Sequence, residues 1–183
     1  DSLFKSKMLV ELLHDGKKDK IIFNGKFPRV TSSNEYNLSM WIYVNDYSYR
    51  KMRDKCILFR GSLKEQTPKW DRAGGMKSNI SNPSIWLMSK NNTLRIYTGL
   101  DTSFKNNKNE YCEIEYFPLQ KWVHLNICLR NNIIDVYMDG KLHKSTILSG
   151  SPVVSAGDLY LCTLGSDNLK GFDGYLSKIE YSN

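Results

Sequence analysis

No apolar run in this chain approaches the ~18 residues that a membrane-crossing helix needs, so no segment is long and apolar enough to cross a bilayer as a helix. The i, i+3, i+4, i+7 apolar repeat of an amphipathic helix is missing as well. No CxxC pair exists, and His14, His124 and His143 lie far from Cys56, Cys112, Cys128 and Cys162 in sequence, which argues against a zinc site. Arginine is scarce: seven stand against nineteen lysines, and the lysines are scattered. Nucleic-acid modules cluster arginine beside stacking aromatics, so the formal charge of +7 reads as a solvated basic surface. A weaker pull toward anionic glycans or membrane surfaces follows from the same charge. No Gly-rich phosphate loop follows a strand, and no nucleophile stands beside a base. The first residue is Asp1 and not Met. From this a processed or excised fragment is expected, with any signal or anchor removed.

What is present is β-structure. The 183 residues are 40% hydrophobic and 25% charged, the balance of one globular domain with a sizeable core. Eleven tyrosines, seven phenylalanines and four tryptophans favour strands. The clearest stretch is Trp122 to Leu142. Val123, Leu125, Ile127 and Leu129 alternate with His124, Asn126, Cys128 and Arg130, the period of a strand with one buried face. Asn131-Asn132 tolerates positive φ and reverses the chain. A second strand sets Ile134, Val136 and Met138 against Asp135 and Tyr137, and Asp139-Gly140 closes it with a type I′ turn signal.

Along the chain, residues 1–20 form a polar lead-in whose apolar patch, Met8 to Leu13, suits a strand or one helical turn. Residues 21–183 form a single domain. Ile21 to Phe23 is a strand, and Asn24-Gly25 predicts a hairpin. NLSMWIYVN places Leu38, Met40, Ile42 and Val44 on one face and Ser39, Trp41 and Tyr43 on the other. CILFRG, SIWLM, LRIYTG, YCEIEYF, LHKSTIL, DLYLCTLG and YLSKIEYSN complete roughly eleven strands, at the spacing of a sandwich or barrel. The segment 62–83 shows no period and has the length of a functional or disordered loop.

These strands carry a resemblance. SMWIYVN, SIWLMSKNNTLRIYTG, PLQKWVHLNICLRNNIIDVYMDGKL and GFDGYLSKIEY resemble the concanavalin A-like, laminin-G-like jelly roll. Its members show a W-x-H strand, a hairpin, a strand ending Asp/Asn-Gly, and a closing F-x-G-x-hydrophobic strand. Trp122, His124, Asp139-Gly140, Phe172 and Gly174 match that order, and the likeness runs from Ile21 to Tyr181. NEYNLSMWIYVNDYSY with PLQKW is similar to laminin-G-like domains of large DNA viruses, which often lie outside a single N-terminal membrane anchor. The resemblance implies an all-β sandwich of two antiparallel sheets. It also implies display on a virion surface or on the extracellular or lumenal side of a membrane, with any membrane contact made through a segment outside this chain.

Functional candidates follow from faces and loops. Glucanases of this fold carry an E-x-D-x-x-E strand that supplies nucleophile and acid. Glu113-Ile114-Glu115 lacks that spacing, and its two glutamates read as a solvated strand face. A binding face fits better. Trp41, Tyr43, His124, Asn126, Asp135 and Tyr137 stand opposite the core, and aromatic plates beside amides and carboxylates suit sugar rings. The competing reading packs Trp41 and Tyr43 beneath a covering loop such as 62–83. That loop adds Trp70, Asp71 and Arg72 as partner contacts. Calcium, frequent in this fold, would draw on Asp101, Asp158, Asp167 and Asp173. Relatives carry an acid where this chain has Ser177, which weighs against it. The four cysteines allow three pairings, and bridge or buried thiol stays open. Of three glycosylation sequons, at Asn37, Asn79 and Asn91, the latter two suit loop acceptors. The expectation is a non-enzymatic recognition or adhesion domain with glycans, or virion or cell-surface proteins, as partners. The alternatives are a structural coat domain without a sugar site and a divergent glycan hydrolase.

Overall fold

The computed structural model describes residues 6–29, 34–61, 82–99, 110–163 and 170–183. Among them thirteen strands and one short 3-10 turn form two antiparallel sheets. The first sheet contains β1 (Ser6–Val10), β2 (His14–Asp15), β4 (Glu35–Asp46), β9 (Trp122–Arg130), β10 (Ile133–Met138), β11 (Lys141–Ile147) and β13 (Asp173–Ser182). Its order is β1-β13-β4-β9-β10-β11, with β2 also on β13. The second contains β3 (Lys20–Ile22), β5 (Lys55–Gly61), β6 (Ser84–Leu87), β7 (Leu94–Thr98), β8 (Glu110–Ile114) and β12 (Asp158–Leu161), in the order β3-β12-β5-β6-β7-β8. Within the polar lead-in, β1 and β2 both pair with β13, so these residues extend the first sheet.

The alternation read from the sequence is the alternation of burial. Val123, Leu125, Ile127 and Leu129 of β9 meet Leu38, Met40, Ile42 and Val44 of β4 in one core, with Ile134 and Val136 of β10 beside them. Each such side chain contributes about 1.5–3 kcal/mol by leaving water. Because the period is two, fixing this face inward turns the opposite residues of three adjacent strands outward together. In the second sheet the central strands β5 and β6 are buried on both faces. Ile57, Leu58, Ile85 and Ile96 face the core. Cys56, Phe59, Trp86, Met88 and Tyr97 form a separate buried cluster.

The turns confirm one expectation and correct another. Asp139 and Gly140 both take positive φ, 50° and 79°, as a type I′ turn requires. Asn24-Gly25 does not make a hairpin. It lies in the 3-10 turn Asn24–Lys26, and the strand before it, β3, pairs with β12. A distant partner captures this turn, since the Asn24 amide donates to the Asp158 carboxylate at 2.8 Å. Likewise β8 stops at Ile114, short of the expected run to Phe117, because Tyr116 turns the chain with φ of 54°. At Gly174 the backbones of β13 and β4 approach so closely that a Cβ would sit 1.9 Å from the Tyr43 carbonyl oxygen. That approach sets Tyr175 against Tyr43.

Candidate functional site

The outward face of the first sheet brings together six of the seven residues proposed from sequence. Cross-strand pairing arranges them in rows. Tyr175, Tyr43 and Trp122 form the first row, across β13, β4 and β9. Their ring centroids are 6.3 and 5.5 Å apart, with planes tilted by 45° and 50°. The second row holds Ser177, Trp41 and His124, with Trp41 edge-on to His124 at 5.1 Å. Glu180, Ser39, Asn126 and Tyr137 form the third. Ser182, Asn37, Cys128, Asp135 and Ser145 form the fourth. One half of the patch is aromatic and the other polar.

The aromatic half is open. Trp41 is 37% exposed, Trp122 38% and Tyr175 40%. Trp41 is thus open to solvent, and the loop 62–83 of the competing reading lies largely outside the described residues. Tyr43 is half-buried because Trp122 and Tyr175 flank it. The His124 amide donates to the Asp139 carboxylate at 3.0 Å, and the Asp139 amide donates back to the His124 carbonyl at 2.9 Å. The turn that closes β10 thus also fixes the backbone under His124.

The polar half is held by its own hydrogen bonds. The Cys128 thiol donates to Asn37 Oδ1 at 3.0 Å. Burial pushes the Cys128 pKa up, which keeps it a neutral donor. Ser145 donates to Asp135, and Ser6 donates to Glu180. Asn126 and Tyr137 stand between these anchored groups, where their amide and hydroxyl can meet a ligand.

Sequence reasoning missed Trp122 and Tyr175 as site residues. Each alternates with a buried neighbour and so shows its outward parity. Their meeting across Tyr43 depends on which strands pair, and no local signal carries that. Trp70, Asp71, Arg72 and Asn79 lie outside the described residues.

The other candidates are dispersed. Glu113 is bound to Arg95, whose Nε donates to it at 2.6 Å, while Glu115 falls beyond the strand and is exposed. The two glutamates therefore do not share a strand face, because β8 ends between them. Arg95 also lies over the Tyr111 ring at 4.2 Å, so Glu113 belongs to a structural cluster. Asp158 accepts from Asn24, and Asp173 accepts from Lys17 at 2.8 Å and Asn45 at 2.9 Å. Asp101 and Asp167 lie outside the described residues, among which no cluster of His, Cys, Asp and Glu could hold a metal ion. All four cysteines are unbridged, and burial raises the pKa of each. His14 Nε2 lies 2.8 Å from the Lys18 carbonyl oxygen. Burial lowers its pKa, so it donates there as a neutral ring. His143 is exposed on β11. Asn91 is exposed in the turn between β6 and β7, whereas Asn37 is half-buried in β4.

Two antiparallel sheets packed on a shared main core make the chain a β-sandwich. The chain belongs to the concanavalin A-like lectin/glucanase superfamily, whose sequence profile matches residues 15–183. Similar solved structures include the botulinum neurotoxin serotype D binding domain, 11% identical with a TM-score of 0.61, matched over 97% of this chain and 42% of that one. The serotype G binding domain is 12% identical with a TM-score of 0.59, over 96% and 46% of the two chains. The neurotoxin DC binding domain, solved in complex with SialylT, is 12% identical with a TM-score of 0.60, over 97% and 42%. Identity this low establishes likeness of fold alone, and the chain spans less than half of those proteins. No curated protein matches the chain.

Proposed function

We propose that this is a non-enzymatic glycan-recognition domain and that the outward face of the first sheet is its binding surface. One observation carries the reading. Trp41, Trp122 and Tyr175 are exposed side by side, next to Asn126, Asp135 and Tyr137 on the same sheet. Exposed large aromatics arrayed together on a rigid sheet are costly to solvate and suit a ligand with apolar faces and fixed hydroxyls. A sugar ring stacks its C–H face on an indole and meets the amide and carboxylate groups with its hydroxyls. The complex of the neurotoxin DC binding domain with SialylT is compatible with the reading.

Hydrolysis fits the same face poorly. Its two central carboxylates, Glu180 on β13 and Asp135 on β10, are separated by β4 and β9. Three strand spacings of ~4.8 Å place them about 14 Å apart, beyond the ~5–9.5 Å that retaining or inverting glycosidases use. As part of the proposal, the domain is displayed on a virion or on the outer side of a membrane, in line with the likeness of its Trp41 and Trp122 strands to laminin-G-like viral domains.

A glycan array probed with the wild type and with Trp41→Ala and Trp122→Ala tests the function. Expected is a defined set of bound glycans, with affinity falling about tenfold or more in each variant, the loss typical of a central aromatic anchor. Binding that both variants retain in full would contradict the site.

A further inference from the structure

Resting on that reading, we infer that the ligand of this face is an uncharged oligosaccharide, and that sialylated or sulfated glycans are disfavoured. The chain as a whole is basic, at +7. The face is not. Of the groups in its four rows, Glu180 and Asp135 are carboxylates, and the rest are serines, amides, a thiol, a histidine and aromatic rings.

The surrounding cations are placed away from it or already engaged. Lys17 holds Asp173 at 2.8 Å. Lys121 approaches Asp139 at 3.8 Å. Arg130 is the exception: it continues the outward face of β9 one row past Cys128, exposed and opposite Glu35 in the sheet. Lys178, exposed at the β13 bulge beside Ser177, is a second cation at the border of the patch, and Glu180 lies two positions away.

Tight recognition of a sugar carboxylate or sulfate calls for a fixed, charge-assisted donor, most often the planar fork of an arginine. The four rows have none. A solvated arginine or lysine at the border offers a mobile and screened charge. An anion settling within about 5 Å of Glu180 or Asp135 would meet a repulsion worth roughly fourfold in affinity at the dielectric of water and more than that as the site dries, so about tenfold is expected at a partly hydrated face. The polar half instead presents both donors and acceptors, in Ser39, Asn126, Asn37 and Tyr137, as neutral hydroxyls require. The four rows, two residues apart along the strands, span about 20 Å. That length suits a chain of several sugars running from the aromatic half to the polar half.

The test uses the chain in 0.15 M salt with matched pairs of oligosaccharides that differ only in a terminal sialic acid. The neutral member should bind about tenfold more tightly, and Trp122→Ala should remove that binding. In the isosteric double variant Asp135→Asn/Glu180→Gln, the preference should narrow by about fivefold. Sialylated members bound as tightly as their neutral counterparts, through Trp122, would overturn the inference and leave the glycan face standing. Failure of every glycan, neutral and sialylated, would overturn both.

Discussion

Lys55 gives the most quantitative consequence of the fold. It opens β5, and at 1% exposure it is as buried as the core leucines. Its Nζ stands 4.3 Å over the Tyr47 ring and has no hydrogen-bond partner among the described residues. Burial, with the Arg50 guanidinium adding repulsion, pushes its pKa from 10.5 down to about 8. At 1.36 kcal/mol per unit, that shift corresponds to about 3 kcal/mol against the charged form in the folded state. Below pH 8 the amine is protonated in both states, so the full penalty is present. Between pH 8 and about 10.5 the native state releases the proton while the unfolded chain keeps it, and stability contributed by this residue rises with pH.

Lys55→Met removes the charge and keeps the volume. The variant should be the more stable protein at pH 7, by up to about 3 kcal/mol less the lost cation–π contact of ~1 kcal/mol. The advantage should shrink toward zero near pH 10. Urea unfolding of both proteins at pH 7, 8, 9 and 10, compared as midpoints at equal slope, reads this difference directly. The comparison is needed because other groups titrate in the opposite sense. The buried thiols and Tyr36, Tyr97 and Tyr181 have raised pKa values, so the unfolded chain ionises first and stability falls at alkaline pH. That background is shared and cancels. A difference between the two proteins that stays constant from pH 7 to 10 would refute the reasoning.

Other expectations concern the backbone and the thiols. Gly174→Ala would drive a methyl to within 1.9 Å of the Tyr43 carbonyl, where only backbone can yield. A loss of about 3 kcal/mol or more is expected in thermal or urea unfolding. Gly140→Ala meets open space but keeps a φ of 79°, so it should cost only about 1–2 kcal/mol and lower Tm by several degrees. The cysteines should show the same intact mass with and without reductant. In the native protein Cys56 and Cys162 should resist a thiol reagent that reaches half-exposed Cys128 first, and denaturant should release all four.

The sandwich was legible in sequence because burial on one side of a strand has a period of two, and β4, β9 and β10 keep that period without a break. The same parity placed Trp41, Tyr43, His124, Asn126, Asp135 and Tyr137 outward. Parity says nothing about register between distant segments. The row Tyr175–Tyr43–Trp122 exists only because β13 and β9 both pair with β4, bringing together segments far apart in the chain. Turn chemistry is equally local. Asn24-Gly25 carries hairpin residues, yet Asp158 from another strand captures its amide. The cations in and beside CILFRG gave no sign of burial. Arg60 nonetheless lies fully inside, 3.8 Å over the Phe27 ring and donating to the Gly157 carbonyl at 3.1 Å.

The central claim is that one open sheet face, half aromatic and half polar, binds sugar. Nuclear magnetic resonance of the labelled chain, titrated with a neutral oligosaccharide drawn from an array, tests it most directly. Saturable shifts at the indole N–H groups of Trp41 and Trp122 and at the side chain of Asn126 are predicted, with the buried Trp86 indole unmoved. Shifts confined to other surfaces, or no saturable shift with any glycan, would contradict it.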